Sequence, residues 1–184
     1  LFAGIMIACL WAAARRFIGQ EAARGAVLVA LGCLGLLVHA HEFQPASVHL
    51  AATAALYWGL ALLPEQPRRG GALAGAALGL GFLAVGLPVL ITLGPLLLLL
   101  PLIWSRLRTS QGAHGMLAAL AVAAPLILIW PLTLYLKDPA AFAAWWTREL
   151  AGLKPGSNVS LSLWNFLQLL SWFAWPALPL AAWT

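Results

Sequence analysis

Along the chain, long uncharged apolar runs alternate with short clusters of charge. The runs are Leu1–Ala14, Gly25–Ala40, Ala46–Leu63, Ala72–Trp104, Leu117–Leu136 and Leu163–Trp183. Arg15 and Arg16 close the first, the stretch His41 to Pro45 closes the second, and Pro64 to Arg69 closes the third. A helix needs about 20 apolar residues to cross ~30 Å of hydrocarbon, and about 17 can suffice. No alternation of strand type occurs. The pattern predicts an all-α chain, a polytopic transmembrane helix bundle.

The run Ala72–Trp104 sets the number of crossings. As one helix, its 33 residues would extend about 50 Å, too long for one span. Gly86, Leu87 and Pro88 stand near its middle, and a Gly-x-Pro break suits a tight reversal. Two spans there give about seven spans in all. They also put Arg15, Arg16, Arg24, Arg68, Arg69, Arg106 and Arg108 on one side, seven of the ten basic residues. The positive-inside rule makes that side cytoplasmic.

Two segments are then outside. One is the turn from His39 to Ser47. The other runs from about Lys137 to Ser162 and begins with Asp138-Pro139, an N-cap followed by Pro at the first helical position. Phe142, Trp145, Trp146, Leu150 and Leu153 follow at helical spacing, predicting a short amphipathic helix in the outer interface, stopped by Pro155 and Gly156. The alternative is a plain aromatic belt. Gly71, Gly75 and Gly79, four apart, form a face on which helices approach closely. No repeat or linker divides the chain. It reads as a single transmembrane domain fragment, 1–184, clipped at both ends, with a truncated span at its start.

Composition sharpens this picture. Charged residues are 8% of the 184 and apolar residues 63%, against roughly 25% charged in an average soluble domain. Disorder and an ordinary soluble domain are excluded. The net charge of +5 does not imply nucleic acid, because the basic residues form pairs between apolar runs and no continuous stripe. Cys9 and Cys33 lie in apolar runs and read as packing residues.

Ionisable groups at membrane depth are functional candidates. They gather at one hairpin: His39, His41, Glu42 and, one turn into the next run, His49. Glu42 could act as a base or fix the tautomer of a neighbouring imidazole. A solvated polar turn is the alternative. The His-x-His-Glu stretch shows no second ligand set, so no metal site is assigned. Arg148 and Glu149 on the outer helix come next. An Arg at headgroup level suits a lipid phosphate, although snorkelling explains it equally. His114, in the basic-side loop, receives no role. Phosphate loops, nucleophile elbows and Cys-x-x-Cys pairs are absent from the sequence.

The order of segments resembles bacterial GT-C membrane glycosyltransferases, the enzymes related to protein O-mannosyltransferases and to the lipid A aminoarabinose transferase. The likeness rests on five segments. Trp11-Ala-Ala-Ala-Arg-Arg-Phe-Ile-Gly resembles the early hairpin, and His41-Glu-Phe-Gln-Pro resembles the second outer turn. Ala55-Leu-Tyr-Trp-Gly-Leu-Ala-Leu and the glycine-rich span after Arg68-Arg follow in the family's order. Trp172-Phe-Ala-Trp-Pro-Ala-Leu-Pro-Leu-Ala-Ala-Trp is the most specific. Two positions depart from the pattern. Ala46 stands where the family commonly has Asp, and Val85 where it commonly has Lys. The family's first outer loop, with its main carboxylate, would precede Leu1.

The resemblance implies sugar transfer from a polyprenyl-phosphate donor to a lipid or protein acceptor at the outer face of a bacterial inner membrane. The family's polar roles at Ala46 and Val85 are not carried over: either Glu42 and the histidines substitute, or the chain is a divergent branch. Of the residues present, Glu42 and His41 are the catalytic candidates, and His39, Arg148 and His49 the substrate-binding ones. No cofactor is named by the sequence. A transporter or lipid flippase is the first alternative, although the span centres carry almost no charge. A non-catalytic membrane scaffold, suggested by Ala46 and Val85, is the second.

Overall fold

The computed structural model describes residues 1–33 and 45–153, together with the isolated position 177. These residues form seven α-helices, one 3-10 turn and no strand. The helices are α1 (Phe2–Ile18), α2 (Gln20–Gly32), α3 (Pro45–Leu62), α4 (Pro67–Val85), α5 (Leu87–Ile103), α6 (Ser110–Lys137) and α7 (Pro139–Gly152). The 3-10 turn is Ser105–Leu107. The expected all-α class is observed. The run Leu163–Trp183 and the turn His39 to Gln44 lie outside the described residues.

Helix boundaries differ from the apolar runs because charge does not stop these helices. α1 continues through Arg15 and Arg16 to Ile18. Gly19, at φ 86°, turns the chain in one residue, and α2 begins at once with Glu21 in its first turn. Glycine is needed there, since positive φ is costly for residues with a Cβ. The Arg15 guanidinium lies 4.5 Å from the centre of the Trp11 ring, and Arg16 pairs with Glu65. α6 likewise begins seven residues ahead of its apolar run, at Ser110. There the Thr109 hydroxyl accepts the Gly112 amide at 3.2 Å, a side-chain N-cap.

The break at Gly86 is a reversal, as the Gly-x-Pro sequence predicts. α4 ends at Val85, Gly86 takes φ 86°, and α5 restarts at Leu87. Contacts at the two ends fix its direction. The start of α5 meets the start of α3, where His49 and Thr92 are hydrogen bonded. The far end of α5 meets the end of α1, where the Phe17 and Trp104 rings stand 6.2 Å apart. Glu65, paired with Arg16, belongs to this second end. The bundle thus has an arginine end and a Gly86 end.

α4 is the centre, packed on α3 and on α6. Small residues make this possible. A Cβ on Gly59 of α3 would stand 2.7 Å from the Ala74 nitrogen and 2.8 Å from the Gly70 oxygen of α4. On the other side of α4, Gly71 and Gly75 press on the backbone of Gly115 and Ala119. Leu56, Leu60 and Leu63 then pack with Leu78, Val89, Leu93 and Leu97 in one buried cluster. Met6 and Cys9 of α1 pack with Ala51 and Ala54 of α3 in another. Among the described residues no polar or charged side chain is buried.

Of the described helices, α6 alone is both long and apolar enough to cross a membrane by those two measures. The apolar stretches Ser47–Leu62 and Leu87–Leu99 are shorter. The one-residue turn at Gly86 divides the apolar run Ala72–Trp104 between two helices of 19 and 17 residues.

Candidate functional site

The Gly86 end collects the polar groups that the sequence singled out, as far as they are described. α3 begins at Pro45, so His49 stands in its second turn. Its Nε2 lies 3.2 Å from the Thr92 hydroxyl of α5. That hydroxyl also reaches the Pro88 carbonyl at 2.8 Å. A hydroxyl has one proton to give, and the shorter contact takes it. The Thr92 oxygen is then the acceptor and His49 Nε2–H the donor. This bond ties α3 to the second turn of α5.

α7 lies at the same end. The Asp138 carboxylate accepts the amides of Ala140 and Ala141, both at 3.0 Å, so the N-cap read from Asp138-Pro139 is formed. The aromatic residues expected on one face gather. Phe142 stacks on Trp146 with ring centroids 6.5 Å apart and planes 9° apart. Phe142 also meets Tyr135 of α6 edge-on at 5.5 Å.

Glu149, one residue past Arg148, carries the long-range contact of α7. Its Oε2 accepts the Leu87 amide at 2.9 Å, and the carboxylate covers the space where a Gly86 side chain would stand. Leu87 opens α5, so the carboxylate sits on a helix N-terminus, where an anion is favoured by the free amides and the helix dipole. Any side chain at Gly86 would displace it. Arg148 makes no such link. Its Nε reaches back to the Ala144 carbonyl of its own helix at 3.4 Å, and it is exposed.

The structure therefore brings together His49, Thr92, Pro88, Leu87 and Glu149, and leaves Arg148 on the open face of α7. His39, His41 and Glu42 lie outside the described residues. Only Phe43 and Gln44 separate Glu42 from Pro45, the first residue of α3. Sequence reading missed Thr92. The signal was available, since Thr92 is the one hydroxyl in the run Ala72–Trp104. Among the described residues no three His, Cys, Asp or Glu side chains gather as metal ligands would.

The sequence profile described as dolichyl-phosphate-mannose-protein mannosyltransferase matches residues 1–130. The match takes in α1 to α5, Glu42, the reversal at Gly86 and most of α6. It stops short of α7. No curated protein and no solved structure matches the chain.

Proposed function

Because the chain belongs to the dolichyl-phosphate-mannose-protein mannosyltransferase family, we propose that it moves a sugar from a polyprenyl-phosphate donor to a lipid or protein acceptor. Family membership makes it a membrane glycosyltransferase of the GT-C kind. The donor, the acceptor and a periplasmic site at a bacterial inner membrane are the finer parts of the proposal. The observation that carries it is the family match over residues 1–130, which contains Glu42 and the histidines beside it in sequence.

In this reading the helices cross the membrane repeatedly, with the arginine end in the cytoplasm. Helices of 17 to 19 residues such as α4 and α5 extend about 26 to 28 Å, close to the hydrocarbon thickness of ~30 Å. Arg16 and Arg68 stand at one end, and His49 with α7 at the other, in keeping with the positive-inside rule.

The chemistry proceeds at the Gly86 end. Glu42 takes the proton of the acceptor hydroxyl as its oxygen attacks the anomeric carbon. The bond from that carbon to the phosphate oxygen breaks, and the lipid phosphate leaves with the electron pair. His41 lies beside the base in sequence. His39, His49 and Arg148 supply donors to the phosphate or the sugar. Such stabilisation of the leaving anion is worth most where water is scarce.

The test is turnover of a polyprenyl-phosphate sugar by the full-length protein. Glu42→Gln is expected to lower the rate roughly 10²- to 10⁴-fold, the usual effect of losing a positioned base, with thermal stability unchanged. Glu21→Gln, an exposed carboxylate at the arginine end, is the control. Unchanged turnover in Glu42→Gln would remove this residue from the mechanism.

A further inference from the structure

The arginine end carries a feature that the transfer reaction does not use. Between the first turns of α4 and α6 lies an open recess of about 460 Å³, lined by Glu65, Gln66, Arg68, Arg69, Gln111 and His114. The volume falls within the roughly 300–1,000 Å³ typical of small-molecule sites. The glycine packing creates it. Gly71 seats against the Gly115 backbone, and Gly115 against Leu63 and Pro67, so the two helix starts open side by side at the surface.

The recess has a positive balance. Glu65 is met by Arg16 from α1, which leaves Arg68 and Arg69 unopposed. Arg69 has one long contact, to the Gln66 side-chain oxygen at 3.4 Å. The Arg68 side chain has no hydrogen bond or ion pair to any described residue. His114 Nδ1 stands 2.6 Å from the Ser110 carbonyl and so donates there, which leaves Nε2 for another partner. α4 begins without a side-chain cap and with Pro67 at its first position; the Gly70 amide bonds the Gln66 carbonyl at 2.8 Å, which leaves the amides of Arg68 and Arg69 for an acceptor. Two guanidinium groups at an uncapped helix start suit a phosphate.

A second observation selects the source of that phosphate. On α6, His114, Leu117, Ala121, Ala124 and Leu128 follow one another at spacings of three and four. They form one stripe along the helix, and all five are exposed. Leu117 is 64% and Leu128 58% exposed. An apolar track therefore leads from the recess along the bundle. A free phosphate has no use for it, whereas an acyl chain does.

We propose that this recess holds the phosphate of an anionic phospholipid, with an acyl chain along the Leu117–Leu128 face of α6. The inference rests on the membrane reading above and does not depend on sugar transfer. Full-length protein in detergent is given equal amounts of phosphatidylglycerol and phosphatidylcholine, and the bound lipid is read by native mass spectrometry. Retention of phosphatidylglycerol is expected to exceed that of phosphatidylcholine, and Arg68→Gln with Arg69→Gln to reduce the preference about 30-fold, two surface cations' worth. Should that double variant not fold, Arg68→Gln alone is expected to reduce it about fivefold.

Equal retention of the two lipids would overturn the proposal, as would an unchanged preference in the variants. Displacement of phosphatidylglycerol by an equal concentration of inorganic phosphate would show a free-anion site and overturn the lipid assignment. Flotation with phosphatidylcholine vesicles scores membrane insertion by itself. A chain that does not float contradicts the membrane reading and this inference with it. Loss of sugar transfer with the lipid preference intact contradicts only the transferase reading.

Discussion

α4 and α6 lie side by side and are built on opposite principles. α4 is rich in glycine and alanine, and Gly70, Gly71, Ala74, Gly75, Ala77, Gly79 and Gly81 are all buried. α6 is the longest described helix, at 28 residues, and its buried positions are Gly112, Gly115, Ala119 and Ala123. Its large side chains, among them Leu117, Leu128, Ile129, Trp130, Leu132 and Leu136, are exposed. In a water-soluble protein the large apolar residues would be inside. Along the contact between α4 and α6 small residues form the seam and the large side chains of α6 face outward, while the buried leucines gather on the other side of α4, with α3 and α5. That is the arrangement expected where lipid removes the hydrophobic drive between helices and close backbone packing holds them together.

The comparison predicts a ranking of substitutions that a soluble protein would invert. The largest effect belongs to Gly75→Leu. A side chain there has to enter the backbone of Ala119, and overpacking of this kind costs about 3 kcal/mol or more. The expected outcome is loss of a monodisperse species in detergent gel filtration. Normal elution and melting of this variant would break the account of α4 as the close-packed centre.

Two variants at the Gly86 end come next. Glu149→Ala removes the carboxylate from the Leu87 amide and should cost about 1 kcal/mol, the scale of a lost helix cap. Its signature is local: faster amide exchange at the start of α5 and in α7, with α3 and the arginine end unchanged. Thr92→Val keeps the shape and removes the partner of His49, at a cost of about 1 kcal/mol. On the proposed function it should raise KM for the donor more than it lowers kcat. An unchanged KM would separate His49 from substrate binding.

The smallest effect is expected where the most apolar surface is removed. Leu128→Ala, on the exposed face of α6, should change stability in detergent by no more than about 0.5 kcal/mol. A loss matching that of Gly75→Leu would mean that this face packs against protein and would reverse the comparison.

What could be read from the sequence was local. The reversal at Gly86 followed from run length and a Gly-x-Pro break, and the cap at Asp138 from its neighbour Pro139. The close-packing face followed from Gly71, Gly75 and Gly79 at one spacing. The partners of these features were not legible. Glu149 and Leu87 are 62 positions apart, Arg16 and Glu65 are 49, and His49 and Thr92 are 43. Periodicity places a residue on a face and is silent about what faces it. The helix starts were misjudged for another reason. Charge does not bound these helices: Arg15, Arg16 and Glu21 sit on them and Gly19 alone makes the turn. The resemblance drawn from segment order agrees with the family to which the chain belongs.

Sidedness is the most direct test of the proposed orientation, arginine end to the cytoplasm and Gly86 end outward. Single cysteines at positions 68 and 153, placed in a chain carrying Cys9→Ala and Cys33→Ala, are exposed to a membrane-impermeant maleimide in intact cells and after permeabilisation. The account predicts that Leu153→Cys is labelled in intact cells and Arg68→Cys only once the membrane is opened. Labelling of both positions from the same side would contradict it.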